Sequence, residues 1–184
     1  MDPTVSMANP AALESPWQMA QTHSHYLRNL LVARPEIGDW LSGHLVQSLS
    51  AELMGDFLAG ESTTTDDELK RALRRLRQRV MSALIVRDLG GVATLGEVVE
   101  SMTLLAEVTT NFALDFFHRQ LSEQFGEPLD SQGQPQRLLV IGMGKLGGRE
   151  LNVSSDVDYI FLYPEDGQTA GGGRPLDNYD FFRR

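Results

Sequence analysis

Four glycines and two aspartates, set between two apolar runs, leave residues 137–163 (RLLVIGMGKLGGRELNVSSDVDYIFLY) few ways to fold. The run 138–143 reads as a strand, Gly142, Gly144, Gly147 and Gly148 crowd the turn after it, and 159–163 reads as a second strand. Asp156 and Asp158 stand at the mouth of that second run. Residues two apart on a strand share a face at roughly 6 to 7 Å. The two carboxylates are therefore expected to aim at one point while Val157 turns into the core. Two hard oxygen ligands on one point suit Mg²⁺, which takes one or two protein carboxylates and fills its shell with water and substrate phosphate. Glycines without Cβ atoms let main-chain N–H groups approach a phosphate closely, and a helix opening at Leu146 would add partial positive charge there. Strand, glycine turn, helix and D-x-D outline a site for metal and phosphate.

The order Met143, Gly144, Lys145, then Asp156 and Asp158, resembles the nucleotidyltransferase superfamily of DNA polymerase beta. The fuller blocks GMGKLGGREL and SSDVDYIF are similar to the glutamine synthetase adenylyltransferase family, whose members carry two such domains. Lys145 departs from the Gly or Ser usual in the wider superfamily but fits the narrower family. The resemblance implies that Asp156 and Asp158 are metal ligands and catalytic, holding Mg²⁺ or Mn²⁺. It also implies nucleotide contacts at Gly144, Lys145, Gly147, Gly148 and Ser155, with ATP, ADP and phosphate as substrates. Glutamine synthetase is the implied macromolecular substrate and a PII-type nitrogen regulator the implied partner. More than a hundred largely helical residues precede the motif, an arrangement similar to the N-terminal, adenylyl-removing half, which takes AMP off a tyrosine by phosphorolysis and yields ADP. The family's third metal-binding carboxylate lies on a later strand, so the chain is expected to be a truncated piece of a longer enzyme.

The expected fold class is α+β, a largely helical region followed by the start of a polymerase-beta-like nucleotidyltransferase domain. Residues 1–16, small and Pro-rich, read as a poorly ordered lead-in, 17–136 as the helical region with its linker, and 137–184 as the first part of the nucleotidyltransferase domain. A formal net charge of −9 argues against a broadly nucleic-acid-binding surface. The absence of cysteine removes disulfides, thiolate chemistry and Cys-ligated zinc. No apolar run approaches the roughly eighteen residues of a membrane span and no signal pattern opens the chain, so a cytoplasmic protein is expected.

Apolar spacing predicts a helix over 17–33 stopped by Pro35, a second over 37–49 and a short third over 51–58. His23 and His25 would point to different faces of the first and make poor metal partners. Thr65 with Glu68 reads as a capping box, opening a helix to about residue 87 with Leu69, Leu73, Leu76, Val80, Ala83 and Leu84 as its apolar seam. Lys70, Arg71, Arg74, Arg75 and Arg77 form a basic stripe on its other side, read as a solvated face rather than a docking strip. Thr94 with Glu97 opens a helix reaching residue 124, apolar on more than one face, with Phe112, Phe116 and Phe117 read as core. The segment 126–136 is read as linker, 167–175 as a flexible loop, and Asp177 with Asp180 as the cap of a last helix.

Two other readings compete. Gly142, Gly144 and Gly147 satisfy G-x-G-x-x-G after a strand, with Glu165 or Asp166 about twenty residues on, as in dinucleotide-binding folds. The short interval from Gly148 to Asp156 and the paired acids weigh against it. A P-loop fails for want of G-x-x-x-x-G-K-[ST]. The non-enzymatic alternative is a helical docking module with an incomplete site. In the motif itself, Arg149 and Glu150 read as a surface pair, and Ser154 and Ser155 as phosphate donors or the end of the helix.

Overall fold

A computed structural model describes residues 15–45 and 47–184, so the expected lead-in lies almost wholly outside the described residues. The chain is mixed α+β, with long helices and, among the described residues, two small two-stranded sheets. The described residues divide into two compact units, 15–47 (without 46) with 81–95, and 48–80 with 96–184.

In the first unit, α1 (Pro16–His23), α2 (His25–Ala33) and α3 (Pro35–His44) follow one another with single-residue breaks. The single helix expected over 17–33 is therefore two. Ser24 is extended and its hydroxyl accepts the Leu27 N–H at 3.1 Å, a cap that competes with continued helix. His23 and His25 flank this break, and the His25 Nδ1 lies 2.8 Å from an Arg28 Nη. Pro35 opens α3 instead of only stopping its predecessor, because its missing N–H costs nothing at the first helical position. Ala20, Leu27, Leu41, Ala83, Leu84 and Val86 are buried in this unit, and the buried Arg87 donates from Nη1 to the Leu45 carbonyl.

In the second unit, α4 (Ala51–Ala59) starts at Ser50, whose hydroxyl accepts the Leu53 N–H. The long helix α5 (Asp66–Leu89) begins here and runs on into the first unit. Its expected capping box is present. The Thr65 hydroxyl accepts the Glu68 N–H at 3.3 Å, and Glu68 Oε2 accepts the N–H groups of Thr64 at 2.8 Å and Thr65 at 3.2 Å. The basic stripe is solvated, with Arg75 paired to Glu61 and the Arg79 guanidinium over the Phe57 ring.

The helix α6 (Leu95–Phe125) buries Val98, Met102, Leu105 and Phe116. Phe117 is not core as expected. It is one of the exposed large side chains and meets Phe116 edge-on at 5.1 Å, since adjacent helical residues cannot both face the same neighbour. Residues 126–136, read as linker, carry β1 (Gly126–Pro128), and 167–175, read as flexible, carry β4 (Thr169–Gly171); the two strands pair antiparallel. The buried Thr169 hydroxyl donates to the Phe125 carbonyl at 2.6 Å and accepts the Leu176 N–H at 2.9 Å. These bonds give small, polar residues the order that their composition does not announce. The last helix, α8 (Asn178–Phe182), starts after Asp177 as expected, although the Asp177 side chain makes no cap bond and accepts from Gln168 instead.

The second sheet is β2 (Leu139–Gly142) with β3 (Tyr159–Leu162), antiparallel, in the register Leu139 to Leu162 through Gly142 to Tyr159. Between them lies a single helical turn, α7 (Gly144–Gly147). Partners opposite one another share a face, so Val140, Gly142, Tyr159 and Phe161 lie on one side of the hairpin and Leu139, Ile141, Ile160 and Leu162 on the other.

Candidate functional site

The glycine turn is built by close backbone approach. A Cβ on Gly147 would stand 2.4 Å from the Gly142 carbonyl oxygen, so the turn can fold back onto the end of β2 only without one. Leu146, buried, fills the space beneath Gly142. Leu146 does not open a longer helix as expected. It lies inside a single turn that begins at Gly144, which has φ +54°, and one turn sums too few peptide dipoles to act as a helix terminus.

The turn ends in paired bonds. The Arg149 N–H donates to the Leu146 carbonyl at 3.1 Å and the Glu150 N–H to the Lys145 carbonyl at 2.8 Å, the pattern that closes a helix on a left-handed residue, usually Gly. That residue here is Arg149, at φ +57°, the one non-glycine with positive φ among the described residues. A side chain in this region costs about 1 kcal/mol or more. The expected surface pair with Glu150 is not what Arg149 makes. Its Nη2 and Nε donate to the two Glu100 oxygens at 2.6 and 3.2 Å, and its Nη1 donates to Glu107 Oε1 at 2.7 Å. The bond from Arg149 holds the Glu100 carboxyl below its ordinary range, and the bond to Glu100 raises the guanidinium. Glu100 and Glu107 are seven apart and so share a face of α6, a spacing that could have been noticed in the sequence but had no partner there to give it meaning.

After the turn, Asn152 organises the approach to β3. Its Oδ1 accepts the Ser154 N–H at 3.0 Å and the hydroxyls of Ser154 and Ser155 at 3.1 and 2.8 Å. The Ser155 hydroxyl, a predicted nucleotide contact, is thus engaged locally. Asp158 continues the ladder by one step, its carbonyl accepting the Met143 N–H at 2.9 Å. It therefore shares the face of Ile160 and Leu162, while Tyr159 turns to the other side and its hydroxyl meets that of Thr110 on α6 at 2.7 Å. Asp156 and Asp158 precede β3 rather than lie in it, and both are exposed. Val157 does not enter the core as expected and is 41% exposed, because strand pairing ends at Asp158 and Val157 lies in the exposed approach to β3.

Lys145, Gly147 and Gly148 are exposed. Neither carboxylate nor the Lys145 ammonium has a hydrogen-bond or ion-pair partner among the described residues, and no cluster of three or more His, Cys, Asp or Glu that could hold a metal occurs among them. A donor set of two open carboxylates fits a cation that keeps water and substrate oxygens in its shell. A cleft of about 400 Å³ lies on the α6 side of the hairpin, lined by Glu107, Thr110, Arg149 and Tyr159 and by Gly142 and Gly147 of the glycine turn itself. It does not include the aspartates. The antiparallel register of β2 and β3 also removes the dinucleotide reading, which needs a crossover helix delivering a parallel second strand.

The fold and the site define a mixed α+β chain that presents two free carboxylates beside a glycine turn. The family model for glutamate-ammonia ligase adenylyltransferase matches residues 18–184, and the chain belongs to that family. Curated relatives named bifunctional glutamine synthetase adenylyltransferase/adenylyl-removing enzyme are similar to it. That of Aromatoleum aromaticum is 47% identical over 165 residues, covering 90% of this chain and 17% of its own length. That of Nitrosomonas europaea is 46% identical, covering 88% and 18%, and that of Chromobacterium violaceum 48%, covering 86% and 18%. The chain spans less than a fifth of the length of these relatives. No described helix is long and apolar enough to cross a membrane.

Proposed function

We propose that residues 137–184 are the first part of a polymerase-beta-like nucleotidyltransferase domain, preceded by the helical region and linker of 17–136, in the adenylyl-removing half of a cytoplasmic glutamine synthetase adenylyltransferase. The observation that carries this reading is the pair of unpartnered, exposed carboxylates, Asp156 and Asp158, beside the glycine turn, in a chain of this family. The reaction is phosphorolysis. An oxygen of inorganic phosphate attacks the phosphorus of the adenylylated tyrosine of glutamine synthetase, the bond from phosphorus to the tyrosine oxygen breaks, and ADP and a free tyrosine hydroxyl result, the phenolate taking up a proton.

Phosphoryl and nucleotidyl transfer depend on position and on stabilisation of charge at the phosphate oxygens. Asp156 and Asp158 would hold Mg²⁺ or Mn²⁺, which supplies positive charge to those oxygens. Gly144, Gly147 and Gly148 let the backbone approach the nucleotide phosphates, Lys145 adds a mobile positive charge, and Ser155 can contribute its hydroxyl once released from Asn152. A PII-type regulator is the partner this reading implies, and ADP, ATP and phosphate the small-molecule ligands.

The test is ADP formation from adenylylated glutamine synthetase, phosphate and Mg²⁺ by the full-length enzyme that carries this segment, beside its Asp156→Asn and Asp158→Asn variants. Loss of turnover in both folded variants is expected. If the folded wild type releases no ADP with its regulator present, the removal reaction is excluded. Binding of glutamine synthetase without turnover would then point to a docking module.

A further inference from the structure

A positive φ at an exposed position is normally given to glycine, and a glycine at 149 would end the α7 turn with less strain. Arginine stands there with all three kinds of guanidinium nitrogen engaged on Glu100 and Glu107 of α6. What the side chain adds is therefore not the turn's ending. It adds a fixed orientation: a planar fork that takes both oxygens of Glu100 edge-on and one of Glu107 leaves the group little freedom to rotate. The fork is attached to the residue immediately after Gly148, and the Arg149 and Glu150 N–H groups close the turn onto Leu146 and Lys145. Movement of the fork is thus movement of the turn.

We propose that Arg149, gripped by Glu100 and Glu107, is a positioning residue that fixes the glycine turn 144–148 against α6 so that its backbone and Lys145 meet the phosphates of a nucleotide. The inference rests on the nucleotidyltransferase reading above. The ion pairs are half-exposed, and exposed pairs add little to global stability. Their effect is expected in ligand affinity, where small displacements are costly.

The experiment titrates Mg·ADP into the full-length enzyme that carries this segment and into its Arg149→Gly, Arg149→Lys and Glu100→Gln/Glu107→Gln variants, with circular dichroism as the folding control. Arg149→Gly is expected to stay folded and to lose affinity by about tenfold. Arg149→Lys, which reaches one carboxylate but lacks the fork, recovers part of the loss. The glutamine pair loses as much as Arg149→Gly, and the combined variant loses no more, as groups acting as a unit require. A residue that only ends the turn predicts the opposite order, with Gly equal to or better than Arg and Lys worse; that order, or additive losses, overturns the proposal. If the wild type binds no Mg·ADP, the nucleotide reading fails, and the clamp is then judged by amide exchange at Gly148 and Glu150. Exchange about tenfold faster in the glutamine pair upholds the clamp on the turn, and unchanged exchange refutes it.

Discussion

The Tyr159 hydroxyl, at the first residue of β3, lies 2.7 Å from the Thr110 hydroxyl in the middle of α6. It joins the strand that follows Asp158 to the helix that carries Glu100 and Glu107. Either hydroxyl can be the donor, and the site is partly buried, so removing one leaves the other with poorer solvation. Tyr159→Phe and Thr110→Val are each expected to lower stability by about 1 kcal/mol, and the double variant by less than the sum. Urea denaturation of the four proteins checks this, and fully additive losses would show that the hydroxyls do not interact.

The glycine turn separates two kinds of glycine that look alike in sequence. Gly147→Ala drives a Cβ to 2.4 Å from the backbone oxygen of Gly142, with no flexible side chain to yield. The expected cost is about 1 to 3 kcal/mol, with β2 displaced from the turn. Gly148→Ala meets nothing nearer than 3.5 Å and keeps a negative φ, so its stability should stay within about 0.5 kcal/mol of wild type. Thermal midpoints of the two variants give the comparison. Equal losses would mean that the turn is held by something other than this contact.

Glu68 gives the start of α5 a pH dependence of definite sign. Its carboxyl is held below its ordinary value by the Thr64 hydroxyl first, then by the backbone N–H groups of Thr64 and Thr65. A lowered folded-state pKa means stabilisation that is present above the unfolded value and lost as pH falls through the lower, folded one. Protection of the α5 N-terminal amides should therefore hold at neutral pH and decline below about pH 4.5, the ordinary value for the group. In Glu68→Gln the decline should be absent. Amide exchange between pH 6 and 3 measures it, and an identical decline in the variant would assign it to other carboxylates.

Local rules were sufficient wherever a segment's own residues decide its structure. Thr65 with Glu68, and the apolar seam from Leu69 to Leu84, announce α5 from spacing alone, and the runs around Val140 and Ile160 announce β2 and β3. Reading failed where the decision is made by a partner far along the chain. Thr169 is ordered by the Phe125 carbonyl, 44 residues earlier, and Arg149 by two glutamates of α6 more than forty residues before it. Nothing in GGRE signals that its arginine will take a left-handed backbone. Ser24 is a different failure: the signal was present, a serine two residues after Thr22, but helical periodicity on both sides concealed a cap that ends one helix and begins the next. Within the candidate site, the identity of the acids and glycines was legible. The face on which Asp158 lies, opposite that of Tyr159, required the register.

Asp156 and Asp158 also allow function to be separated from packing. Both are exposed and without partners among the described residues, so neutralising either removes no fold-stabilising bond and relieves any mutual repulsion. Asp156→Asn and Asp158→Asn should each leave the unfolding midpoint within about 0.5 kcal/mol of wild type. If the pair holds a divalent cation, each variant should weaken Mn²⁺ binding by about tenfold or more, because an amide offers no charge to a hard cation. Water-proton relaxation in a Mn²⁺ titration reads the affinity directly and needs no turnover. If instead the carboxylates serve only to begin β3, the pattern reverses, with destabilised variants and unchanged Mn²⁺ binding. The two measurements together therefore decide between a ligand pair and an ordinary strand entrance, whatever the reaction proves to be.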